Sequence, residues 1–598
     1  MKHGAVQYLV KWAGYINKHN TWVDIDDMEC DDLIAEFEAA SALSAHVKID
    51  PKETLQTDAE VAAQSAKVFG PNDVFAKQAC ADLIDRQSMA GTVDDYLPGY
   101  KKEICNILRR RMTLQDPKQA YSVRSAHALG KLRMLLELKR DGRRKGRLII
   151  NKEPVEWQTD SNASPVAYLE SIRMMLFMCG CVGDCLSIND ISVAFLQADE
   201  FPKEDKRYVS YTAYKGAVEH ILRLHGCLYG QKCASKQFYC TLATWLCDNG
   251  FKQADNEPCL FVNGAGVKVL LWVDDLLVRG LRADTDAFHD ALEARFECRD
   301  GARQYLSYDH HLEYCGLKMS VTATDAGDLY SMDQSDDVAT FLLDFGLDSE
   351  PVRTSPMPNL NLLLSDDTVL GPNSANWCKS AIGVLHFLAR GTRWDISLAV
   401  SMISQLNAVP TKGVEAAIRY LAGYMNATVD HCLSGLRPAN GVDVIDSYVD
   451  ASHHGAKAMH SQSQTGLMVI LNKVPLRWRS TRQPDTSDSP AVSELYAIKE
   501  IVKDARLQHW VAEEMGLTVT WPFTLKTDSQ QCVSFASDSC AKSTMRGSFD
   551  WREDWVREVK DKSQVVFEHV AGVLNPADIM TKCLKGPEFR LKRELVMN

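Results

Sequence analysis

The chain has 598 residues, 45% of them apolar and 24% charged, which is the composition of a globular protein too long for a single hydrophobic core. No apolar run approaches the roughly 18 residues that cross a bilayer, and the N-terminus lacks a signal-peptide pattern, so no membrane partner is predicted. The net charge of −12 does not exclude a nucleic-acid partner, because residues 101–152 carry 16 Lys and Arg against 4 Asp and Glu. The 18 cysteines include no C-x-x-C pair, which argues against a zinc site and indicates a reducing, intracellular setting.

The first 42 residues predict a small unit of two strands and a helix. The segment AVQYLVKWAGYINKHNTW (5–22) has a strand pattern on both sides of a glycine turn, and Asp31 and Asp32 open an amphipathic helix where the helix dipole favours acids. Residues 43–100 are rich in Ala, Asp and Gln and have weak periodicity, so we predict a linker with some helix.

A basic block follows the linker. A helical pattern is predicted as far as Leu138, and strands at 139–140 and 147–150 are predicted to be joined by an Asp141-Gly142 turn. A β-ribbon that carries several Lys and Arg side chains could fold onto a triphosphate. A solvated helical face is the alternative explanation for the same charges.

Lys268 to Gly280, KVLLWVDDLLVRG, predicts a buried β-hairpin. Two runs of Val and Leu flank Asp274 and Asp275, which places both carboxylates at the turn. Adjacent carboxylates at the mouth of an apolar hairpin repel each other unless a cation such as Mg²⁺ binds them together with substrate phosphates. On this stretch alone, an exposed turn without metal is an equal alternative.

A third aspartate is predicted to reach the same place. Ser187 to Asn189 form a strand that ends at Asp190, after which residues 191–196 turn helical. If this strand lies beside the hairpin, Asp190 and Asp274 could hold two Mg²⁺ ions about 3.5–4 Å apart, the arrangement that polymerases use. Taken alone, Asp190 also fits a helix-capping role.

Residues 443–585 predict a separate unit with the element order βββ-α-β-α-β-α, in which a long helix lies between Ser489-Pro490 and Gly516 and another helix lies at Arg552 to Lys562. Four acids fall at strand ends and helix starts of this unit: Asp450, Glu494, Asp528 and Asp578. Carboxylates that converge on one sheet edge repel one another strongly unless they share divalent metal. Considered singly, Glu494 could be a solvated helix residue and Asp578 a helix N-cap.

From the basic ribbon to about residue 585, the sequence resembles the reverse transcriptase and ribonuclease H of copia-type retrotransposon polyproteins. Motifs similar to those of the family occur in the family's order: SPVAYLESIR (164–173), SINDISVAFL (187–196), LYGQKCASKQFY (228–239), WVDDLLV (272–278) and YCGLKM (314–319). The resemblance implies an α+β multidomain fold. It consists of a right-hand polymerase with fingers and palm at 101–330 and thumb and connection at 331–440, a ribonuclease H-like α/β domain at 441–585, and a C-terminal tail at 586–598.

The resemblance also implies site residues. The catalytic, metal-binding carboxylates would be Asp190, Asp274 and Asp275 for DNA synthesis, and Asp450, Glu494, Asp528 and Asp578 for cutting RNA. The residues that would bind the nucleotide are Lys139, Arg147, Phe195 and Gly230. The bulky side chain of Phe195 would exclude nucleotides that carry a ribose 2′-hydroxyl. A core phenylalanine and an ordinary loop glycine are the alternatives for the last two residues. The chain departs from the family pattern at Trp272, where tyrosine is more usual.

The N-terminal unit resembles a chromodomain, in the pattern YLVKWAGY…NTW…DLIAEFE. That family holds methylated lysine between three aromatic rings by cation–π attraction. Trp12 and Tyr15 match two cage positions, whereas the strand that would carry the first ring is absent, so the sequence resembles an N-terminally truncated chromodomain. Trp22 matches a core position.

The sequence therefore predicts an RNA-directed DNA polymerase with ribonuclease H activity that depends on Mg²⁺, with Mn²⁺ as an alternative. The expected partners are an RNA template, a DNA primer, the RNA–DNA hybrid and dNTPs, with a methylated histone tail as a further partner of the chromodomain. The expected location is intracellular, in cytoplasmic particles and the nucleus, and the chain is expected to be a 5′-truncated polyprotein. A non-enzymatic chromatin-binding protein that carries a decayed polymerase is the chief alternative, and an integrase-like strand transferase is a third.

Overall fold

The computed structural model describes most of the chain after residue 55 and two short strands before it. The described residues are 7–10, 21–24, 56–138, 142–157, 163–179, 183–438, 441–453, 462–487, 489–537, 558, 562 and 564–596. The chain divides into two compact units. The first consists of Met1–Asp160 and Phe195–Gln237, and the second consists of Ser161–Ala194 and Phe238–Asn598.

The described strands, in chain order, are β1 (Gln7–Val10), β2 (Thr21–Asp24), β3 (Met112–Leu114), β4 (Leu129–Leu138), β5 (Arg144–Lys152), β6 (Asp184–Asp190), β7 (Arg207–Thr212), β8 (Glu219–Leu224), β9 (Phe251–Gln253), β10 (Leu260–Asn263), β11 (Lys268–Trp272), β12 (Asp275–Leu281), β13 (Gln304–Tyr305), β14 (Leu312–Tyr314), β15 (Leu317–Thr324), β16 (Gly327–Asp333), β17 (Leu433–Leu436), β18 (Ile445–Ser452), β19 (Gln464–Leu471), β20 (Val474–Arg482), β21 (Phe523–Thr527) and β22 (Val565–His569). The described α-helices are α1 (Asp58–Phe69), α2 (Val74–Arg86), α3 (Val93–Arg110), α4 (Pro117–Ala126), α5 (Leu169–Phe177), α6 (Ala234–Asp248), α7 (Arg282–Arg295), α8 (Ser335–Asp344), α9 (Pro372–Gly391), α10 (Ser397–Ser404), α11 (Lys412–Asn426), α12 (Pro490–Glu514), α13 (Gln530–Ser537) and α14 (Gly586–Glu594).

The first unit contains a five-stranded sheet in the order β3-β8-β7-β4-β5 and the helices α1 to α4. Strands β4 and β5 form an antiparallel hairpin in which Leu138 pairs with Arg144. An antiparallel ribbon at this place is therefore confirmed, whereas its predicted first strand at 139–140 and Asp141 of its turn lie outside the described residues. In the N-terminal segment, β1 pairs antiparallel with β2, with Leu9 opposite Trp22, in agreement with the predicted strand-turn-strand.

The prediction of a linker with some helix is wrong for its described part in that the segment is mostly helical, because residues 56–100 contain α1, α2 and the first eight residues of α3. These helices contact one another and bury side chains such as Val61, Tyr96 and Tyr100. The apolar positions of this stretch are largely alanine and isolated aromatic residues, which give a weak helical periodicity in the sequence. Their burial becomes evident only in the packed structure.

The predicted helical pattern agrees with α3 and α4 but is wrong at its end, because Leu129–Leu138 form strand β4. Leu132, Met134 and Leu136 are buried, whereas Lys131 before them and Arg133 among them are exposed. This alternation has the period of two residues that a half-buried strand requires. The pattern was present in the sequence but was masked by the surrounding basic residues.

The second unit begins with a six-stranded antiparallel sheet in the order β13-β6-β12-β11-β10-β9. Its central hairpin is apolar on both sides, and Val269, Leu270, Leu276 and Leu277 are fully buried. Helix α7 packs against β6 and β12. A second sheet, β14-β15-β16-β17, and the helices α8 to α11 follow in the chain.

The C-terminal sheet has the order β20-β19-β18-β21-β22. Strands β18, β19 and β20 are antiparallel neighbours, whereas β21 is parallel to β18 and β22 is parallel to β21. Helix α12 begins at the predicted position, where the Ser489 side chain accepts a hydrogen bond from the Val492 N–H, and Gly516 with a φ of +84° follows its end. The described strands and α12 follow the predicted order of three strands, a long helix and two further strands. The class of a mixed α and β protein with several sheets is confirmed.

The C-terminal end differs from prediction in two respects. Asp578 lies inside a 3-10 helix, Pro576–Met580, and does not open an α-helix. The predicted tail contains α14, whose Phe589 is buried with its ring centroid 5.7 Å from that of Tyr424. The predicted helix at Arg552 to Lys562 lies outside the described residues except for 558 and 562.

Helix α5, which holds the segment predicted to resemble fingers, lies in the second unit and packs against β20. The Arg477 guanidinium is 2.6 Å from a carboxylate oxygen of Glu170, and the Arg173 guanidinium donates to the Leu476 carbonyl at 2.8 Å. In the part of the chain described here, no helix has the length and apolarity that crossing a membrane requires.

Candidate active sites

The predicted hairpin of carboxylates exists as β11 and β12. Trp272 pairs with Asp275, so Val273 and Asp274 form the two-residue turn, and Val273 adopts a φ of +60°. A positive φ at a β-branched residue is uncommon and occurs where the surrounding structure holds the turn tightly. The buried strands on both sides therefore fix the two aspartates at the edge of the sheet.

Strand β6 brings the third predicted aspartate to this turn. Asp190 and Asp275 are directly opposite each other across the antiparallel β6–β12 pair, and the Ile191 N–H donates to the Asp274 carbonyl at 3.0 Å. Directly opposite residues point to the same face of a sheet, with Cβ atoms about 4.5–5.5 Å apart. The prediction paired Asp190 with Asp274, whereas the register places Asp275 opposite Asp190 and Asp274 one residue further on. We name these three aspartates the hairpin centre.

The hairpin centre contains strong electrostatic repulsion. Burial, followed by the negative charges of Asp274 and Asp190, raises the pKa of Asp275 to about 7, and Arg299 opposes this rise. The Arg299 guanidinium lies 3.2 Å from a carboxylate oxygen of Asp190, and the Arg299 N–H donates to the Asp190 carbonyl at 3.0 Å. The sequence analysis missed Arg299, since it lies more than 100 residues from Asp190 and no local pattern marks it.

The raised pKa of Asp275 predicts how the metal-free protein responds to pH. The folded protein binds this proton more tightly than the unfolded chain, so the stability that the neutral acid contributes is fully present below about pH 4 and is lost as the pH rises to about 7. We expect the melting temperature in EDTA to fall between about pH 5 and about pH 7.5, and to fall less in Asp275→Asn. Thermal melting at both pH values measures this difference, and an equal fall in the two proteins would contradict it.

Three of the predicted nucleotide-binding residues lie around one tyrosine of the first unit. The Phe195 ring centroid is 5.6 Å from that of Tyr229, and the Arg147 guanidinium lies 5.2 Å from the same ring. Arg147 is also 3.8 Å from a carboxylate oxygen of Glu137. Tyr229 directly precedes Gly230, so Arg147, Phe195 and Gly230 belong to one local cluster, whereas Lys139 lies outside the described residues. Phe195 is half-buried and therefore is not a fully buried core residue.

Gly230 is required by the fold itself. Its φ is +85°, and a Cβ atom at this position would lie 2.5 Å from the Ile150 carbonyl oxygen of β5. The Ile150 N–H in turn donates to the Tyr229 carbonyl at 2.8 Å. The loop thus lies directly against β5, and this close approach explains the glycine without reference to a nucleotide.

The C-terminal sheet assembles the second predicted set of acids. Asp450 lies on β18, Asp528 directly follows β21, and Asp578 lies in the 3-10 helix Pro576–Met580. One carboxylate oxygen from each of these three lies within 4.8 Å of the others. Glu494, in the first turns of α12, accepts a hydrogen bond from the Ala451 N–H at 3.3 Å. We name these four acids the C-terminal centre.

Burial and mutual repulsion act on this centre as well. Burial raises the pKa of Asp450 to about 6 even though Lys582 lowers it, and Asp578 adds to the rise. The pKa of Glu494 is raised well above its ordinary value by burial and then by the charges of Asp450 and Asp528. The second carboxylate oxygen of Glu494 is buried and has no hydrogen-bond partner among the described residues. Oxygen ligands in this arrangement fit a hard divalent cation.

The sequence analysis missed the polar side chains that support the C-terminal centre. Thr581 donates a hydrogen bond to Asp450, and the nearly buried Lys592 ammonium lies 2.6 Å from Asp578 and donates to the Gly572 carbonyl. Lys582 contacts the centre as well and lies four residues after Asp578, a spacing that places side chains on one face of a helix. That spacing is a signal that the sequence could have provided.

The remaining predicted site residues, Trp12 and Tyr15 of the methyl-lysine cage, lie outside the described residues. The strands β1 and β2 on either side of them are described, although their side chains are not.

Two protein-family models match parts of this chain. Residues 131–344, which include the hairpin centre, match the family model described as reverse transcriptase (RNA-dependent DNA polymerase). Residues 1–40 match the Chromo (chromatin organisation modifier) domain model. The two matches cover different parts of the chain, and the first contains all three aspartates of the hairpin centre.

Among curated proteins, the chain is similar to the retrovirus-related Pol polyprotein from transposon TNT 1-94 of Nicotiana tabacum. The two are 25% identical over 78% of this chain and 35% of the relative. A second relative, the Pol polyprotein from transposon RE1 of Arabidopsis thaliana, is 25% identical over 71% of this chain and 28% of its own length. The chain spans about a third of the length of these relatives. The predicted resemblance to a copia-type Pol polyprotein with a chromodomain is confirmed.

A solved structure of LC11-RNase H1, isolated from compost, is 18% identical and covers 23% of this chain and 91% of its own, with a TM-score of 0.19.

Proposed function

We propose that the chain synthesises DNA on an RNA template and cuts the RNA strand of the resulting hybrid. The observation that carries this proposal is the placement of seven acids in two groups on two different sheets. The hairpin centre lies on the β6–β12 pair, and the C-terminal centre lies on β18, α12 and the loops after β21 and β22. Two phosphoryl-transfer reactions with separate substrates require two such groups.

We infer that Mg²⁺, with Mn²⁺ as an alternative, binds at both centres. Asp190, Asp274 and Asp275 would hold it at one centre, and Asp450, Glu494, Asp528 and Asp578 would hold it at the other. Bound there, the metal supplies Lewis acidity at phosphate oxygens and lowers the pKa of an attacking hydroxyl or water. Burial, together with neighbouring carboxylates, raises the pKa of Asp275 and of Asp450, which supports a requirement for added positive charge.

The subdomains and two nucleotide-binding side chains can be assigned roles in the proposed DNA synthesis. We infer that the β6–β12 sheet acts as a palm, the β4–β5 sheet as fingers, and α8 to α11 as thumb and connection. Arg147 offers a guanidinium to the triphosphate of an incoming dNTP, and Phe195 acts as the bulky side chain that disfavours a ribose 2′-hydroxyl. The common contact of both side chains with Tyr229 supports this assignment.

A cavity of the second unit supports a nucleic-acid substrate. Its volume is about 1230 Å³, and its lining includes Trp272 beside the hairpin turn and Arg482 at the end of β20. Aromatic and basic side chains make up much of the rest, among them Tyr168, His386, Phe387, Arg390 and Trp478. Bases stack on aromatic rings, and arginine binds phosphate oxygens. We propose that the hybrid contacts this cavity.

We further propose that the chromodomain segment contacts a methylated histone tail through Trp12 and Tyr15, and that the protein acts in cytoplasmic particles and the nucleus. The family match of residues 1–40 supports the first proposal. The alternative of a chromatin-binding protein with a decayed polymerase is not favoured, because residues 131–344 match the reverse transcriptase family model and all seven predicted acids are present in the sequence.

A single reaction tests the proposed function. The purified chain is incubated with Mg²⁺, dNTPs, a labelled DNA primer and a labelled RNA template. We expect primer extension together with shortening of the RNA, and much weaker extension when NTPs replace dNTPs. Absence of both products with Mg²⁺ and with Mn²⁺ would contradict the proposal.

A further inference from the structure

Lys582 makes closer contact with the C-terminal centre than its position in a surface loop suggests. Its ammonium lies 2.7 Å from an oxygen of Asp578, 3.2 Å from one of Asp450 and 3.9 Å from one of Asp528. These are the three carboxylates whose oxygens lie within 4.8 Å of one another. One ammonium therefore shares the space between the oxygens that would surround a metal ion.

Lys592, a second lysine that contacts Asp578, differs from Lys582 in its burial and in its hydrogen-bond partners. Its side chain is 3% exposed, and its ammonium donates to the Asn575 carbonyl at 3.1 Å and to the Gly572 carbonyl as well as to Asp578. These fixed partners hold the loop that carries Asp578. The side chain of Lys582 is 40% exposed and has only carboxylate partners among the described residues. Lys582 can therefore move into solvent without breaking the backbone contacts of the loop.

The ammonium of Lys582 and a divalent metal ion differ in charge and would compete for the same carboxylate oxygens. A divalent cation carries twice the charge of an ammonium and binds carboxylate oxygens at about 2.0–2.1 Å in the case of Mg²⁺. Carboxylates that meet in a partly buried site repel one another strongly, and one ammonium neutralises only part of their charge. Both cations cannot hold the same oxygens at contact distance.

We propose that Lys582 is a resident counter-ion of the C-terminal centre, that it stabilises the metal-free fold, and that an incoming divalent cation must displace it. Lys582 then sets the affinity of the centre for metal, and it is a positioning residue without a role in bond breaking. The proposal rests on the proposed metal site of the C-terminal centre.

The test uses the full chain carrying Asp190→Asn, which removes a carboxylate of the hairpin centre, and Mn²⁺ as the probe without nucleic acid. We expect Lys582→Met to bind Mn²⁺ about tenfold more tightly in calorimetry, because the competing charge is gone. In EDTA, the same variant is expected to melt at a lower temperature, by about 3 °C, and saturating Mn²⁺ should remove that difference. Lys585→Met is the matched control, since Lys585 is an exposed lysine three residues further on.

Lys582→Gln keeps a hydrogen-bond donor and serves as a second variant if Lys582→Met fails to fold. The role of Lys582 would be overturned if the Lys582 variant had the same Mn²⁺ affinity and the same metal-free melting temperature as the Lys585→Met control. A different outcome, in which Asp450→Asn leaves Mn²⁺ binding unaltered, would remove the metal site itself and thus the proposed cutting function as well. The two failures are distinguishable because the first leaves Mn²⁺ binding dependent on Asp450.

Discussion

Replacing Asp190 with asparagine is expected to lower the rate of DNA primer extension by about 1000-fold or more, with no change in the cutting of RNA. Asparagine has nearly the same shape but no charge, so the cross-strand pair with Asp275 no longer offers two carboxylates to a metal ion. Metal ions stabilise the transition states of phosphoryl transfer by several kcal/mol, and about 1.4 kcal/mol corresponds to a factor of ten in rate. Extension of a labelled DNA primer by one nucleotide on an RNA template measures the effect.

Asp300→Asn is the matched control for this prediction. Asp300 is an exposed aspartate that directly follows Arg299, so the same chemical change is made close to the hairpin centre without altering it. We expect this control to extend the primer at the wild-type rate. If Asp190→Asn extended the primer as fast as Asp300→Asn, the hairpin centre would have no part in DNA synthesis.

Glu494→Gln is expected to have the converse effect, with RNA cutting reduced by about 1000-fold and primer extension unchanged. Glutamine keeps a carbonyl that can accept from the Ala451 N–H, but it cannot supply the negative charge that a carboxylate brings to a bound metal ion. The reaction to follow is cleavage of labelled RNA in a preformed hybrid.

The control for this change lies on the same helix. Glu513 is exposed near the end of α12 and accepts a hydrogen bond from the Trp521 indole at 2.7 Å, which a glutamine carbonyl can also accept. Glu513→Gln should therefore cut RNA normally. Equal cutting by both variants would exclude Glu494 from the mechanism, and loss of extension in Glu494→Gln would argue against independent centres.

The elements that the sequence predicts correctly are those with a local physical cause. The β11–β12 hairpin follows from two Val and Leu runs around Asp274 and Asp275, and helix α12 follows from its Ser489 cap and the glycine at its end. In each case the deciding interactions lie within a few residues of one another. The α+β class of fold was implied by the family resemblance of the motifs.

The errors arise where distant parts of the chain decide the structure. Residues 56–100 become helices with a buried face because they contact one another, and no strong pattern in the sequence marks this. The ion pairs of Arg299 with Asp190 and of Lys582 with Asp450 join residues more than 100 positions apart. The carboxylates of both centres can therefore be predicted from motifs, whereas these two long-range ion pairs are established only in the folded structure.

The register of β6 and β12 illustrates the same limit at the scale of one residue. Motif order predicts that Asp190 meets the hairpin, but only strand pairing shows that Asp275 is opposite it. A shift of one residue would point the side chain to the other face of the sheet.

The most direct measurement of two independent metal centres is a reaction with differently labelled DNA primer and RNA, supplied as a primed template and as a preformed hybrid. Wild type, Asp190→Asn, Glu494→Gln and an equal mixture of the two variants are compared. We expect extension alone from Glu494→Gln, cutting alone from Asp190→Asn, and both products from wild type and from the mixture. Loss of both activities in either single variant would contradict the separation of the two centres.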